Sequence, residues 1–262
     1  MTEAFHMYIC SNRIMLRRQT GFLGKKKTET VSEWDWNSRH GLDLSPLKPS
    51  ARRATLSVYL GAALCKLMCI DIPGAIKNDE DKLALARAQM QHHLGIIPEE
   101  WNFEFDTPLP GKAIVCAVRK LLFEQIRETA AKKNCRLISL TPFFSNIWNC
   151  VSRSEKQSSY GLMIVESDVF TTLLAKENKI ESASTLHHYG EIHVIEREAE
   201  RLRLSMKLET GHPLRIACSQ QLPVSAPLPD SIFLEKRTYL KQDIYPDFRD
   251  LVFANTPEAL PT

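Results

Sequence analysis

Apolar residues of this chain fall into recognisable periods from Thr55 onward. Leu83, Ala86, Met90 and Leu94 recur at helical spacing. Asn78 stands before them as an N-cap, and Asp79, Glu80 and Asp81 fill a first turn where carboxylates complement the helix dipole. Gly95 marks the stop. Strands are predicted near Leu56 to Leu60, Lys66 to Ile72 and Trp101 to Asp106. Ala113 to Val118 is an unbroken apolar run of the kind found in buried strands. A second helix carries Leu122, Ile126 and Ala130 on one face and ends near Asn134. Leu137 to Leu140 is a short strand, after which Pro142 opens a helix with Phe143, Phe144, Ile147 and Val151 on its packed side.

The flanking regions are read in the same way. Phe5 to Cys10 and Ile14 to Arg18 are β-prone, with Ser11, Asn12 and Arg13 as a hairpin turn between them. Gly21 to Ser50 shows no period and reads as irregular chain. The polar stretch Ser152 to Ser159 reads as a linker. Beyond it, strands are predicted over Tyr160 to Glu166, Val169 to Ala175 and Ile180 to His187, with a turn at Glu177 to Lys179. A helix over Glu191 to Leu208 keeps Ile192, Ile195, Ala199, Leu202 and Met206 in step. Leu214 to Cys218 is the next strand, and the proline-rich tail from Gln220 reads as loop.

The two halves therefore repeat one pattern, strands followed by a helix and a further strand. The first half is expected to carry an insertion, a strand–helix–strand–strand module over about residues 66–118. The expected division is a first lobe over 1–152 and a second lobe over 160–262.

Composition narrows the classes. At 262 residues the chain can form two domains or one bilobed unit. A net charge of +3 is too small to predict nucleic-acid or membrane binding from electrostatics. Met1 to Ile9 has neither a basic start nor a long apolar run, so a signal peptide is not expected. The longest apolar candidate for a span, Val58 to Ile70, is too short and contains Lys66. Seven cysteines at irregular spacing, several in apolar runs, read as buried free thiols in a reducing compartment.

Four stretches carry a resemblance. They are Leu67 to Pro73 leading into the acidic helix, the helix Lys82 to Leu94, Trp101 to Phe103 with Ala113 to Val118, and Cys135 to Leu140 with Pro142 to Phe144. In these the chain resembles the cytoplasmic actin-like assembly proteins of type IV pili and type II secretion systems, the PilM-like and GspL-like family. The likeness runs over roughly residues 56–218. It implies an α/β (α+β) chain with a duplicated RNase H-like, actin-like ATPase fold and an inserted small module. It also implies a scaffold at the inner face of the cytoplasmic membrane, reaching the membrane only through partners. Those partners would be a membrane protein's cytoplasmic segment or the assembly ATPase. Self-association is left open, and nucleic acid is not expected.

ATP-binding members of the actin-like group wrap phosphates with two glycine-containing hairpins, each bearing an aspartate for magnesium and water. Glycine lets backbone N–H groups approach phosphate closely. Here the first hairpin, Tyr8 to Arg13, has neither Asp nor Gly. The second, Val165 to Phe170, holds Glu166 and Asp168 but no Gly, and the two acids read as turn and cap residues. Where an adenosine loop would be glycine-rich, the chain has Cys218 to Pro223. A non-hydrolysing protein without cofactor is expected, with ATP and magnesium only under the alternative of a diverged ATPase or sugar-kinase relative.

Other chemistry finds little support. A nuclease of the RNase H type needs a carboxylate on its first strand, and Phe5 to Cys10 has none. Cys65 and Cys69 on one strand lie about 13 Å apart, too far for one tetrahedral zinc shared with His92 and His93. A thiol hydrolase built on Cys150 and His187 lacks any nucleophile-elbow glycine pattern. No catalytic or metal-ligating residue is therefore assigned. For partner binding the candidates are the basic run Lys25, Lys26 and Lys27, the loop tryptophans Trp34 and Trp36, and the helical aromatics Phe143 and Trp148. Arg52 and Arg53 could add to the basic surface.

Overall fold

Strand pairing, more than any helix, organises the chain. The computed structural model describes residues 2–22, 25–36, 42–50, 54–154, 159–188, 192–205, 214–218 and 252–253. The first sheet has the order β3-β2-β1-β4-β8, from β1 (Thr2–Ile9), β2 (Arg13–Phe22), β3 (Lys25–Asp35), β4 (Ala54–Leu60) and β8 (Cys135–Pro142). β1, β2 and β3 run antiparallel in sequence, whereas β4 lies parallel to β1, and β8 parallel to β4. The second sheet has the order β11-β10-β9-β12-β13, from β9 (Tyr160–Val165), β10 (Val169–Lys176), β11 (Lys179–His187), β12 (Leu214–Cys218) and β13 (Val252–Phe253). Again three antiparallel strands are followed by a fourth parallel to the first. The expected duplication is thus present as strand order.

It is not present as element order. α4 (Ile192–Ser205) crosses from β11 to β12. Residues 36–53 make the equivalent crossover in the first lobe, with no helix among those described. Their anchors are side chains, with Trp36, Leu44 and Leu47 buried beneath the sheet. β3 is the other correction. Its eleven residues form a strand where the sequence reads as irregular, because a ladder to β2 supplies what the residue pattern does not. β1 and β2 are longer than the apolar runs that announce them. α3 (Phe143–Ser154) also continues into the stretch expected to be a linker.

The insertion forms its own small layer. β5 (Cys65–Asp71), β7 (Lys112–Arg119) and β6 (Trp101–Leu109) make an antiparallel sheet of order β5-β7-β6. α1 (Asp79–Leu94) covers one face of it. Asn78 caps α1 by accepting from the Asp81 N–H at 2.7 Å. Gly95 ends it at φ 62, a left-handed conformation that costs glycine little, and donates its N–H to the Gln91 carbonyl. Ala86 and Met90 are the buried residues of α1, whereas Leu94, in step with them by sequence, is 41% exposed. α2 (Lys120–Lys132) buries Ile126 and Ala130 against the first sheet, with Leu122 partly covered.

Alternate residues of β1 decide how the lobes meet. Phe5, Met7 and Ile9 face the first lobe's own core, whereas Tyr8 and Cys10 face the other side. On that second side, one apolar cluster gathers Tyr8, Met15 and Tyr59 with Phe143, Phe144, Ile147 and Val151 of α3. It continues into Tyr160, Leu162, Ile164 and Leu173 of the second sheet, and into Leu67 and Ile114 of the module. Each such side chain contributes roughly 1.5–3 kcal/mol when fully buried, so this shared core fixes the lobes and module relative to one another.

Candidate functional site

The two hairpin turns that would face a nucleotide in an ATP-binding relative face each other here. The first, between β1 and β2, closes with the Cys10 N–H donating to the Arg13 carbonyl at 2.9 Å. The second, between β9 and β10, closes with the Glu166 N–H donating to the Val169 carbonyl at 2.8 Å. Both are two-residue turns, so Ser11 and Ser167 occupy equivalent places in the repeat. Their Oγ atoms lie 3.0 Å apart. Ser11 donates to Asp168 Oδ1 at 2.7 Å, and Ser167 lies 3.2 Å from the same oxygen.

Glu166 makes the deeper contact. Its carboxyl oxygens accept from the Tyr8 hydroxyl at 2.5 Å and from the Ala62 N–H at 2.9 Å. Both donors belong to the first lobe and the acceptor to the second. The loop after β4 is held for this purpose: the Gly61 N–H donates to the Ile9 carbonyl at 2.7 Å, which turns the Ala62 N–H toward Glu166. A Cβ at Gly61 would lie 2.6 Å from Glu166 Oε1 and 3.1 Å from the Cys10 Cα, so only glycine admits the carboxyl this closely. Phe143 packs on Tyr8, with ring centroids 4.6 Å apart, and sets where its hydroxyl points.

His188 braces the second turn from behind. Its backbone N–H donates to the Asp168 carbonyl at 2.9 Å, and its Nε2 lies 2.9 Å from the Glu166 carbonyl oxygen. A carbonyl can only accept, so Nε2 carries the proton. The ring stacks on Phe170, with an interplanar angle of 12°.

Burial dominates the electrostatics. It pushes the Glu166 carboxyl up to about 7, with nearby Asp168 adding to the rise, while the Tyr8 and Ala62 bonds oppose it. The Cys10 thiol is raised by burial. Cys65 is raised well above the usual thiol range by its sulfur contact with Cys116 and by burial. Cys65 and Cys69 point to one face of β5, opposite Val118 and Ile114 of β7. Among the described residues no cluster of three His, Cys, Asp or Glu side chains is arranged to hold a metal.

A separate groove of about 550 Å³ runs between the module and the first lobe. It is lined by Arg87 of α1, Trp101 and Phe103 of β6, Lys120 and Phe123 of α2, and Pro142 at the end of β8. The Arg87 guanidinium lies over the Phe103 ring at 5.7 Å, and that of Arg119 over the Trp101 ring at 5.5 Å.

Of the sequence-derived candidates, Phe143 reaches the junction. Trp36 is buried and Trp34 half-buried in the first-lobe core, with the Trp34 indole N–H donating to the Asp43 carbonyl at 3.2 Å. Phe143 is buried at the lobe junction, and Trp148 stacks on Tyr160 with centroids 5.6 Å apart. Lys25, Lys26 and Lys27 lie on β3, but their side chains are outside the described residues. So are the Cys150 side chain, Arg52 and Arg53, the Ser219 to Pro223 stretch and most of the tail. By sequence Glu166 and Asp168 read as turn and cap residues, and in the structure Asp168 lies in the turn while Glu166 closes it. Glu166 does more, because it reaches into the other lobe. Tyr8, Gly61 and Ala62 carried no signal of their own in the sequence.

Several solved structures are similar over most of the chain. One is a Bacteroides thetaiotaomicron protein with an actin-like ATPase fold, at 10% identity and a TM-score of 0.57, covering 82% of this chain and 81% of its own. Another is the cytoplasmic domain of EpsL, an inner-membrane component of the type II secretion system of Vibrio cholerae. It aligns at 12% identity and a TM-score of 0.55, covering 92% of this chain and 88% of its own. A PilM-PilN type IV pilus biogenesis complex aligns at 14% identity with a TM-score of 0.49, over 79% of this chain and 66% of its own; at that score it adds nothing to the first two. No protein-family model and no curated protein matches the chain by sequence. The chain has the actin-like ATPase fold, the class expected from its sequence. No helix among the described residues is long and apolar enough to cross a membrane.

Proposed function

We propose that this protein is a non-catalytic scaffold of actin-like fold. It serves a bacterial type IV pilus or type II secretion-like assembly from the cytoplasmic side, where it binds a membrane partner's cytoplasmic segment or the assembly ATPase. The junction of the two turns carries this reading. A triphosphate needs free N–H donors and open room between the turns. Here the Cys10 and Glu166 N–H groups close their own hairpins, the Ala62 N–H is taken by Glu166, and the acids Glu166 and Asp168 occupy the space between the turns. A body that has closed its cleft in this way keeps its outer grooves for other proteins.

The fold shared with the EpsL cytoplasmic domain supports the choice of assembly. The groove between module and first lobe supports a peptide ligand. Its aromatic floor, with Arg87 and Lys120 beside it against a single acid, Glu104, suits an extended segment with apolar and acidic side chains.

The test is an isothermal titration of the whole protein with ATP and magnesium. No heat of binding is expected up to millimolar nucleotide. Saturable binding near micromolar affinity would replace the scaffold with a diverged ATPase.

A further inference from the structure

The Glu166 carboxyl is buried where the two lobes meet. Tyr8 faces it from β1, Cys10 from just beyond β1, Cys65 from β5, Asp168 from its own turn and His188 from just beyond β11. Gly61 and Ala62 bring only backbone. Asp168 adds negative charge, and so would either thiol on ionising. The described proton on His188 Nε2 goes to the Glu166 backbone carbonyl. Lys66 follows Cys65 on β5 and so points to the opposite face, and Arg13 at the end of the first turn pairs with Glu33 at 2.5 Å. Among the described ion pairs none includes Glu166.

We infer that Glu166 is a proton-controlled fastener between the two lobes: neutral, it holds Tyr8 and Ala62 of the first lobe against the second, and loss of its proton drives the junction open. An ionised carboxylate at this position has two hydrogen-bond donors and, among the described ion pairs, no cation, with Gly61 lying close against one of its oxygens. Hydration would relieve it, and a residue 3% exposed gains water when the turns part. Burial sets the transition near neutrality, with the carboxyl at about 7. The lobes of this scaffold would then be more closed in a mildly acidic setting than in a mildly alkaline one. The inference rests on the reading that no nucleotide occupies the junction.

The experiment is hydrogen–deuterium exchange on the whole protein from pH 5 to 8.5, corrected for the intrinsic pH dependence of exchange. It is read at the Gly61, Ala62, Cys10 and Glu166 amides. Opening is expected to rise about tenfold per pH unit between about 5 and 7, then level off as the closed-state carboxyl also ionises. Glu166→Gln should give opening that does not change with pH, since the amide can accept from Ala62 and donate to the Tyr8 oxygen. Tyr8→Phe removes a bond that favours the charged form, so the levelling should move to higher pH. This second variant decides the matter if Glu166→Gln does not fold. Opening that is flat with pH in the unaltered protein, or equally steep in Glu166→Gln, overturns the inference. The nucleotide titration is independent: ATP binding would remove the scaffold reading whatever the pH dependence.

Discussion

Ser11 and Asp168 are 157 residues apart in the chain, yet the Ser11 hydroxyl donates to the Asp168 carboxylate at 2.7 Å. The bond joins equivalent turns of the two repeats, so it exists only when both lobes are folded and docked. A double-mutant cycle with Ser11→Ala and Asp168→Ala, followed by urea unfolding, should give a coupling of about 1–2 kcal/mol. Strictly additive losses would mean that the bond contributes nothing in solution.

Gly61 should be the least replaceable residue of the junction. In Gly61→Ala the new methyl would meet Glu166 Oε1 at 2.6 Å and the backbone of Cys10 at 3.1 Å. The carboxyl can withdraw only by giving up the Tyr8 and Ala62 bonds. We expect a loss of about 2 kcal/mol in urea denaturation. A variant as stable as the parent would show that the carboxyl is not seated against Gly61.

Global stability should carry the imprint of Glu166. Its pKa is raised on folding, from an ordinary 4.5 to about 7, so the folded state binds the proton more tightly than the unfolded state. Its contribution is therefore most favourable at acid pH, is lost as pH rises from about 4.5 to about 7, and is constant above. The total is on the order of 3 kcal/mol. The difference in stability between Glu166→Gln and the parent should grow over that window in favour of the variant. A constant difference would contradict the assignment.

The module depends on how α1 docks. Met90 is fully buried against the three-stranded sheet, and Met90→Ala should cost about 2–4 kcal/mol, read as loss of amide protection across β5, β6 and β7. Asn78→Ala removes the cap and should cost about 1 kcal/mol at the same amides. Protection unchanged in Met90→Ala would mean that α1 is not what covers this sheet.

Buried thiols should be slow nucleophiles. Burial raises Cys69 and Cys135 to about 11, from an ordinary 9.0. Each should then alkylate about a hundredfold more slowly than a thiol in an unstructured peptide at pH 8. Iodoacetamide labelling read peptide by peptide checks this, and rates equal to the free thiol would contradict it.

Much of the architecture is legible in the residues. Asn78 with three acids behind it, and Gly95 seventeen residues later, mark α1 without any tertiary information, because caps and dipoles are local effects. β9 reads as an apolar run because it is buried along its whole length. β3 does not read as a strand, since an edge strand held by the ladder to β2 needs no apolar period. That the first-lobe crossover has no helix among its described residues is hidden for a similar reason: Trp36, Leu44 and Leu47 anchor it by packing, not by period.

The candidate site divides along the same line. That the hairpins lack glycine, and hold Glu166 and Asp168 in the second, is written in the sequence, and so is the doubt about phosphate binding. The local order of strands, helices and turns, with the repeat they make, is likewise a property of neighbouring residues. That Ser11 meets Ser167, and that Glu166 reaches Tyr8 and Ala62 beside Gly61, follows from docking two lobes about one shared core. Contacts across more than a hundred residues obey no period or cap. They are set by which faces of β1 and β9 are apolar and by how little room Gly61 leaves, and only the folded chain brings those terms together.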